Sequence, residues 1–68
     1  MINDEMLKQK IEESGLKIGF IVTKLGLSHQ AFLNKMNGTT SFKLDEIQKL
    51  CNILNLTSEE RDEIFFKE

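Results

Sequence analysis

Two apolar patterns of helical spacing predict helices only three residues apart in this chain, and that short junction constrains the fold more than any other feature. The first pattern, Ile18, Ile21, Val22 and Leu25, runs i, i+3, i+4, i+7, and the second sets Phe32 one turn before Met36. Between the helices that they predict, residues 17–25 and 29–36, lie only Gly26, Leu27 and Ser28. Three residues are too few for an ordinary antiparallel helical hairpin, so the second helix is expected to cross the first at a steep angle. Gly26 suits the left-handed turn position, Leu27 plugs the core and Ser28 caps the second helix.

The rest of the chain extends the same pattern. It has no proline and little strand-like alternation, and its apolar residues recur at spacings of three and four, which predicts an all-α fold. Five helices are expected, over residues 4–14, 17–25, 29–36, 44–54 and 58–65. Asn3 caps the first, which buries Leu7 and Ile11 and stops at Gly15. Asn37-Gly38 ends the third. Leu44, Ile47, Leu50, Cys51 and Leu54 form the stripe of the fourth, with Asp45 and Glu46 at its positive end. Thr57 and Glu60 fit a capping box at the start of the fifth.

Composition then excludes several classes. At 68 residues the chain has room for one domain, residues 1–68, and not for a substrate-enclosing cleft. One Cys and one His give no internal disulfide, no zinc-ligand set and no nucleophile–base pair, so neither a metal, a cofactor nor enzymatic activity is expected. The apolar runs are too short to span a bilayer and the acidic N-terminus is unlike a signal peptide, so a cytoplasmic protein without a membrane partner is expected.

The net charge of −2 conceals a division. Between Glu13 and Asp45 lie 31 residues without a single acid, holding Lys17, Lys24, Lys35, Lys43 and His29. That window is +4 with His neutral, whereas residues 1–13 are −2 and residues 45–68 are −4. A basic stretch centred on the short junction is the electrostatic footprint that phosphate binding requires.

At this point the chain resembles the Cro/cI-type helix-turn-helix family, the lambda-repressor-like DNA-binding domains of phage and bacterial regulators. The resemblance runs from Leu7 to about Phe65. Its centre is Ile21-Val22-Thr23-Lys24-Leu25-Gly26-Leu27-Ser28-His29-Gln30-Ala31-Phe32, and it continues through Lys35-Met36-Asn37-Gly38 and Phe42-Lys43-Leu44-Asp45-Glu46-Ile47. It implies a five-helix domain that lays its third helix in the major groove of an operator and represses transcription by occupying it. Base contacts then fall to His29, Gln30, Leu33 and Asn34. Gln and Asn can donate and accept together, as adenine requires, Leu33 can meet a thymine methyl, and His29 can donate to guanine or to a phosphate. Phosphate contacts are implied for Lys17, Ser28, Lys35, Asn37, Thr39, Thr40 and Lys43. No small-molecule ligand is implied.

The end of the chain raises the question of self-association. Ile64, Phe65 and Phe66 are consecutive and cannot all face one small core, so a homodimer surface is expected to include Ile64 and Phe66. A second reading competes with the DNA reading. Ile18 and Phe20 are apolar where the family usually places polar residues, as a protein-binding modulator, an anti-repressor or an antitoxin would require for docking a partner repressor or toxin.

Overall fold

The computed structural model describes residues 2–66. Five helices follow in order: α1 (Asp4–Ser14), α2 (Ile18–Leu25), α3 (His29–Met36), α4 (Leu44–Leu54) and α5 (Ser58–Arg61). A π-helical segment, Asp62–Phe66, continues α5, and no strand occurs among the described residues. The all-α, five-helix expectation therefore holds, with two local differences: α2 begins at Ile18 rather than at 17, and the last helix widens into π geometry after one turn.

The helix ends follow the side-chain chemistry. The Asn3 side chain accepts from the Met6 amide, the Ser28 hydroxyl from Ala31, and the Thr57 hydroxyl from Glu60. The Glu60 carboxylate completes the capping box by accepting the Thr57 amide and reaches across to the Lys10 ammonium, tying α5 to α1. A second tie joins the two ends of the chain, where the Asn3 amide donates to the Ile64 carbonyl at 2.8 Å.

One core draws on every helix except the short α5. Leu7 and Ile11 enter from α1, Ile21, Val22 and Leu25 from α2, Phe32 and Met36 from α3, and Ile47, Leu50 and Leu54 from α4; Ile64 and Phe65 close it from the π-helical segment. The loop before α4 also contributes. Phe42 packs edge-on between Phe32, 5.9 Å away by ring centroids, and Phe65, at 5.5 Å. It fills the place that the helical stripe assigned to Leu44, which instead stands 70% exposed at the first position of α4.

Ile64 is also corrected, because it is wholly buried and Phe65 nearly so, leaving Phe66 as the exposed member of the three. The wider π-helical turn places two successive side chains inward, and the partner surface expected at Ile64 and Phe66 retains Phe66 alone. Ile18 is half-buried against the core as the first residue of α2, whereas Phe20 is 47% exposed with the Lys24 ammonium 5.4 Å from its ring centre.

Candidate nucleic-acid interface

The turn that presents α3 closes with paired backbone bonds. Gly26 adopts φ 73°, its amide donates to Thr23, and the Leu27 amide reaches back to the Val22 carbonyl at 3.0 Å. These bonds occupy the Val22 and Thr23 carbonyls in the last turn of α2 and lead the chain into the Ser28 cap. A Cβ at position 26 would meet no neighbour within 4 Å, so Gly26→Ala tests the backbone alone. It is expected to cost about 1–2 kcal/mol, the penalty of a left-handed L-residue, and to lower the thermal midpoint by about 4–8 °C per kcal/mol.

The outer face of α3 carries all four residues expected to contact bases. His29 and Gln30 are exposed in the first turn, Leu33 is 41% exposed and Asn34 is half-buried. Two of them are joined: the Gln30 side-chain amide donates to Oδ1 of Asn34 at 3.0 Å. The i, i+4 spacing that puts both on one face also brings their amides within bonding distance.

The loop after α3 is pinned to the helix. The Asn34 carbonyl accepts the amides of Thr39 at 2.9 Å and Thr40 at 3.2 Å, while Oδ1 of Asn37 accepts both the amide and the hydroxyl of Thr39. Thr39 has thus committed both of its donors to the loop itself, and Asn37 has committed its carbonyl oxygen. Of the residues expected at phosphate, Lys17, Ser28, Asn37, Thr39, Thr40 and Lys43 are all exposed, and neither Lys17 nor Lys43 has an ion pair among the described residues.

Lys35 departs most from the sequence expectation. Its ammonium bonds the Ser41 carbonyl at 2.9 Å and the Glu46 carboxylate at 3.0 Å, and the two side chains are only 12% and 8% exposed. It faces inward, where it holds the loop against α4, and so leaves the phosphate-contacting set. Glu46 was legible only as an acid favouring a helix start. In the fold it takes the Lys43 amide at 2.9 Å as well as Lys35, because Lys43 occupies the cap position and a lysine side chain has no acceptor to offer there.

Burial by itself would raise the Glu46 carboxyl, but the Lys43 amide and the Lys35 ammonium outweigh it and hold the group below its ordinary value of 4.5. The sign follows. A folded value below the unfolded one contributes stability that is fully present above about pH 4.5 and lost as the pH falls through the folded value. Glu60 is depressed in the same direction, chiefly by its bond from Lys10. Stability is therefore expected to decline as pH drops from 5 toward 3, and thermal midpoints of Glu46→Gln measured over that range should fall less steeply than those of the unsubstituted chain.

The withdrawal of Lys35 alters the electrostatics of the acid-free window, leaving Lys17, Lys24 and Lys43 as its outward cations. Apart from Lys35–Glu46, the ion pairs among the described residues lie outside the window: Asp4 with Lys8, Lys10 with Glu13 and Glu60, and Arg61 with Asp62. These pairs lie on α1 and at the α5 end. Cys51 is half-buried on α4, and burial pushes its thiol up, away from the reactive thiolate.

Residues 4–68 match the sequence model of a family described as a protein of unknown function, DUF739. The chain belongs to the DUF739 family. Neither curated proteins nor solved structures give a match. The family match spans the turn, the α3 face and the Lys35–Glu46 pair alike, so all of these features lie in the DUF739 region. Among the described residues, no group of three His, Cys, Asp or Glu side chains could hold a metal ion, and no helix is long and apolar enough to cross a membrane.

Proposed function

We propose that this DUF739 chain is a sequence-specific double-stranded DNA-binding regulator, a Cro-like phage or prophage repressor that seats α3 in the major groove of its operator. The observation that carries the reading is the outer face of α3, where His29, Gln30, Leu33 and Asn34 stand together without a carboxylate on the helix. That composition suits base edges, and an acid there would be repelled by phosphate. The three-residue turn before it and the resemblance to Cro/cI-type domains support the same assignment. Lys17 at the start of α2 and Lys43 before α4 supply phosphate contacts at the two ends of the unit, with Thr40 between them in the chain. Repression is steric, since an occupied operator excludes polymerase or a rival repressor. Phe66, exposed beside Arg61, is the residue through which a second copy would bind a half-site one helical turn away.

Binding is tested by competing a DNA enriched from a random pool against unselected DNA at moderate salt. At least a hundredfold preference is expected, and equal affinity would refute the reading. The two lysines placed at phosphate, Lys17 and Lys43, set the salt dependence: a log–log slope of about −2 per bound chain. Salt titrations of binding measure it.

The exposed Phe20 ring favours a second reading, a module that docks a partner repressor or toxin through α2. Ile18, already packed on the core, contributes little to such a surface. Phe20→Lys separates the two readings, because it adds a cation beside DNA and leaves operator affinity unchanged or higher, but abolishes docking of a protein on α2.

A further inference from the structure

We infer that Gln30 and Asn34 act as one composite reader of a single adenine and that Leu33 reads a thymine methyl beside it, so the operator half-site is A·T at the step under the middle of α3. The inference rests on the DNA-binding reading above. Its structural ground is the bond from Nε2 of Gln30 to Oδ1 of Asn34, which couples two side chains that could otherwise contact separate bases. With that bond made, the outward edge of the pair still offers Oε1 of Gln30 as an acceptor and the Asn34 amide as a donor. Adenine presents an N6–H donor and an N7 acceptor in the major groove, and that acceptor and that donor are their complement.

Elimination points the same way. Guanine is usually claimed by an Arg or Lys fork, but α3 has no Arg and its one Lys is held inside by Glu46 and the Ser41 carbonyl. Cytosine offers an N4 donor to a carboxylate, and α3 has none. His29, in the first turn, is left for the flanking base or a phosphate. Leu33, one step from Asn34 and 41% exposed, is an apolar group on the reading face for which only the thymine methyl is an apolar counterpart.

The test is enrichment from a randomised duplex pool by the full chain and by Gln30→Ala, Asn34→Ala and the double variant, at fixed salt. The unsubstituted chain should enrich adjacent A·T pairs. Each single variant should relax selection at the same base pair by about five- to hundredfold, and the double variant should be little worse than either single one. Replacing the neighbouring thymine by uracil should weaken the unsubstituted chain about threefold to fourfold, the value of one buried methyl, and leave Leu33→Ala unaffected. A G·C pair enriched where these variants relax selection, or single variants that relax different base pairs independently, would overturn the composite reader while the DNA-binding reading stands. Failure of the unsubstituted chain to enrich any sequence would take down both.

Discussion

Lys35→Ala is expected to lower the free energy of unfolding by about 2–4 kcal/mol, an unusually large effect for a lysine, as measured by urea denaturation. The magnitude comes from what is left behind. Glu46 is 8% exposed and would keep only the Lys43 amide as a donor, while the Ser41 carbonyl would lose its bond altogether. An exposed phosphate-binding lysine would instead change stability by less than about 0.5 kcal/mol. The double change Lys35→Met with Glu46→Gln should recover more than half of the loss, because it removes both charges together and Gln still accepts the Lys43 amide. In that double variant the salt slope of DNA binding should stay where it was. A slope shallower by about 0.9 would return Lys35 to the phosphate set.

Ile64→Ala should have an effect of similar size, about 2–4 kcal/mol, whereas Phe66→Ala should remain within about 0.5 kcal/mol. Ile64 is wholly buried between the ends of the chain, and its carbonyl receives the Asn3 amide. A chain of this length has on the order of 3–10 kcal/mol in total, so losing the Ile64 side chain removes a large part of it. Phe66 has half its surface in solvent, with the Arg61 guanidinium 6.0 Å from its ring centre. Its substitution should act on association, and sedimentation of the DNA-bound form with and without Phe66→Ala measures that. If instead Ile64→Ala left the unfolding midpoint unchanged and altered only association, the packing described for the π-helical segment would be wrong.

The two residues also mark where the sequence was informative and where it was not. Helix ends were legible where they depend on local chemistry: Asn3, Ser28 and Thr57 start helices by bonding amides three residues away, and Gly15 and Gly26 stop them in left-handed positions that other residues avoid. The apolar stripes of α1, α2 and α3 repeat every three or four residues, and the core is built on them. Periodicity failed at the edges of elements. Leu44 fits the stripe of α4 but occupies its first position, where the loop residue Phe42 has already covered the core. Ile64 and Phe65 share the interior because the chain winds there in π geometry, which no local pattern announced.

Lys35 illustrates a different limit. Its partner Glu46 is eleven residues away, beyond a loop, and both belong to residue types that are usually solvated. A charge count places Lys35 in a basic window; only the fold brings the acid of one segment onto the cation of another. Glu46 is correspondingly the residue that sequence reasoning undervalued, and its one visible signal was its place three residues after Lys43 at a helix start. Gln30 and Asn34 behaved in the opposite way, since their four-residue spacing on one helix made the shared face accessible to simple geometry, whereas the bond between them came from the fold.

Contact between the face of α3 and DNA is tested most directly by backbone NMR shifts of the labelled chain titrated with its enriched duplex. Perturbations are expected at His29, Gln30, Leu33 and Asn34, with smaller ones at Lys17, Thr40 and Lys43, and none along the acidic end at Glu59 and Asp62. Shifts confined to Phe20 and its neighbours on α2, or absent from α3 altogether, would contradict it.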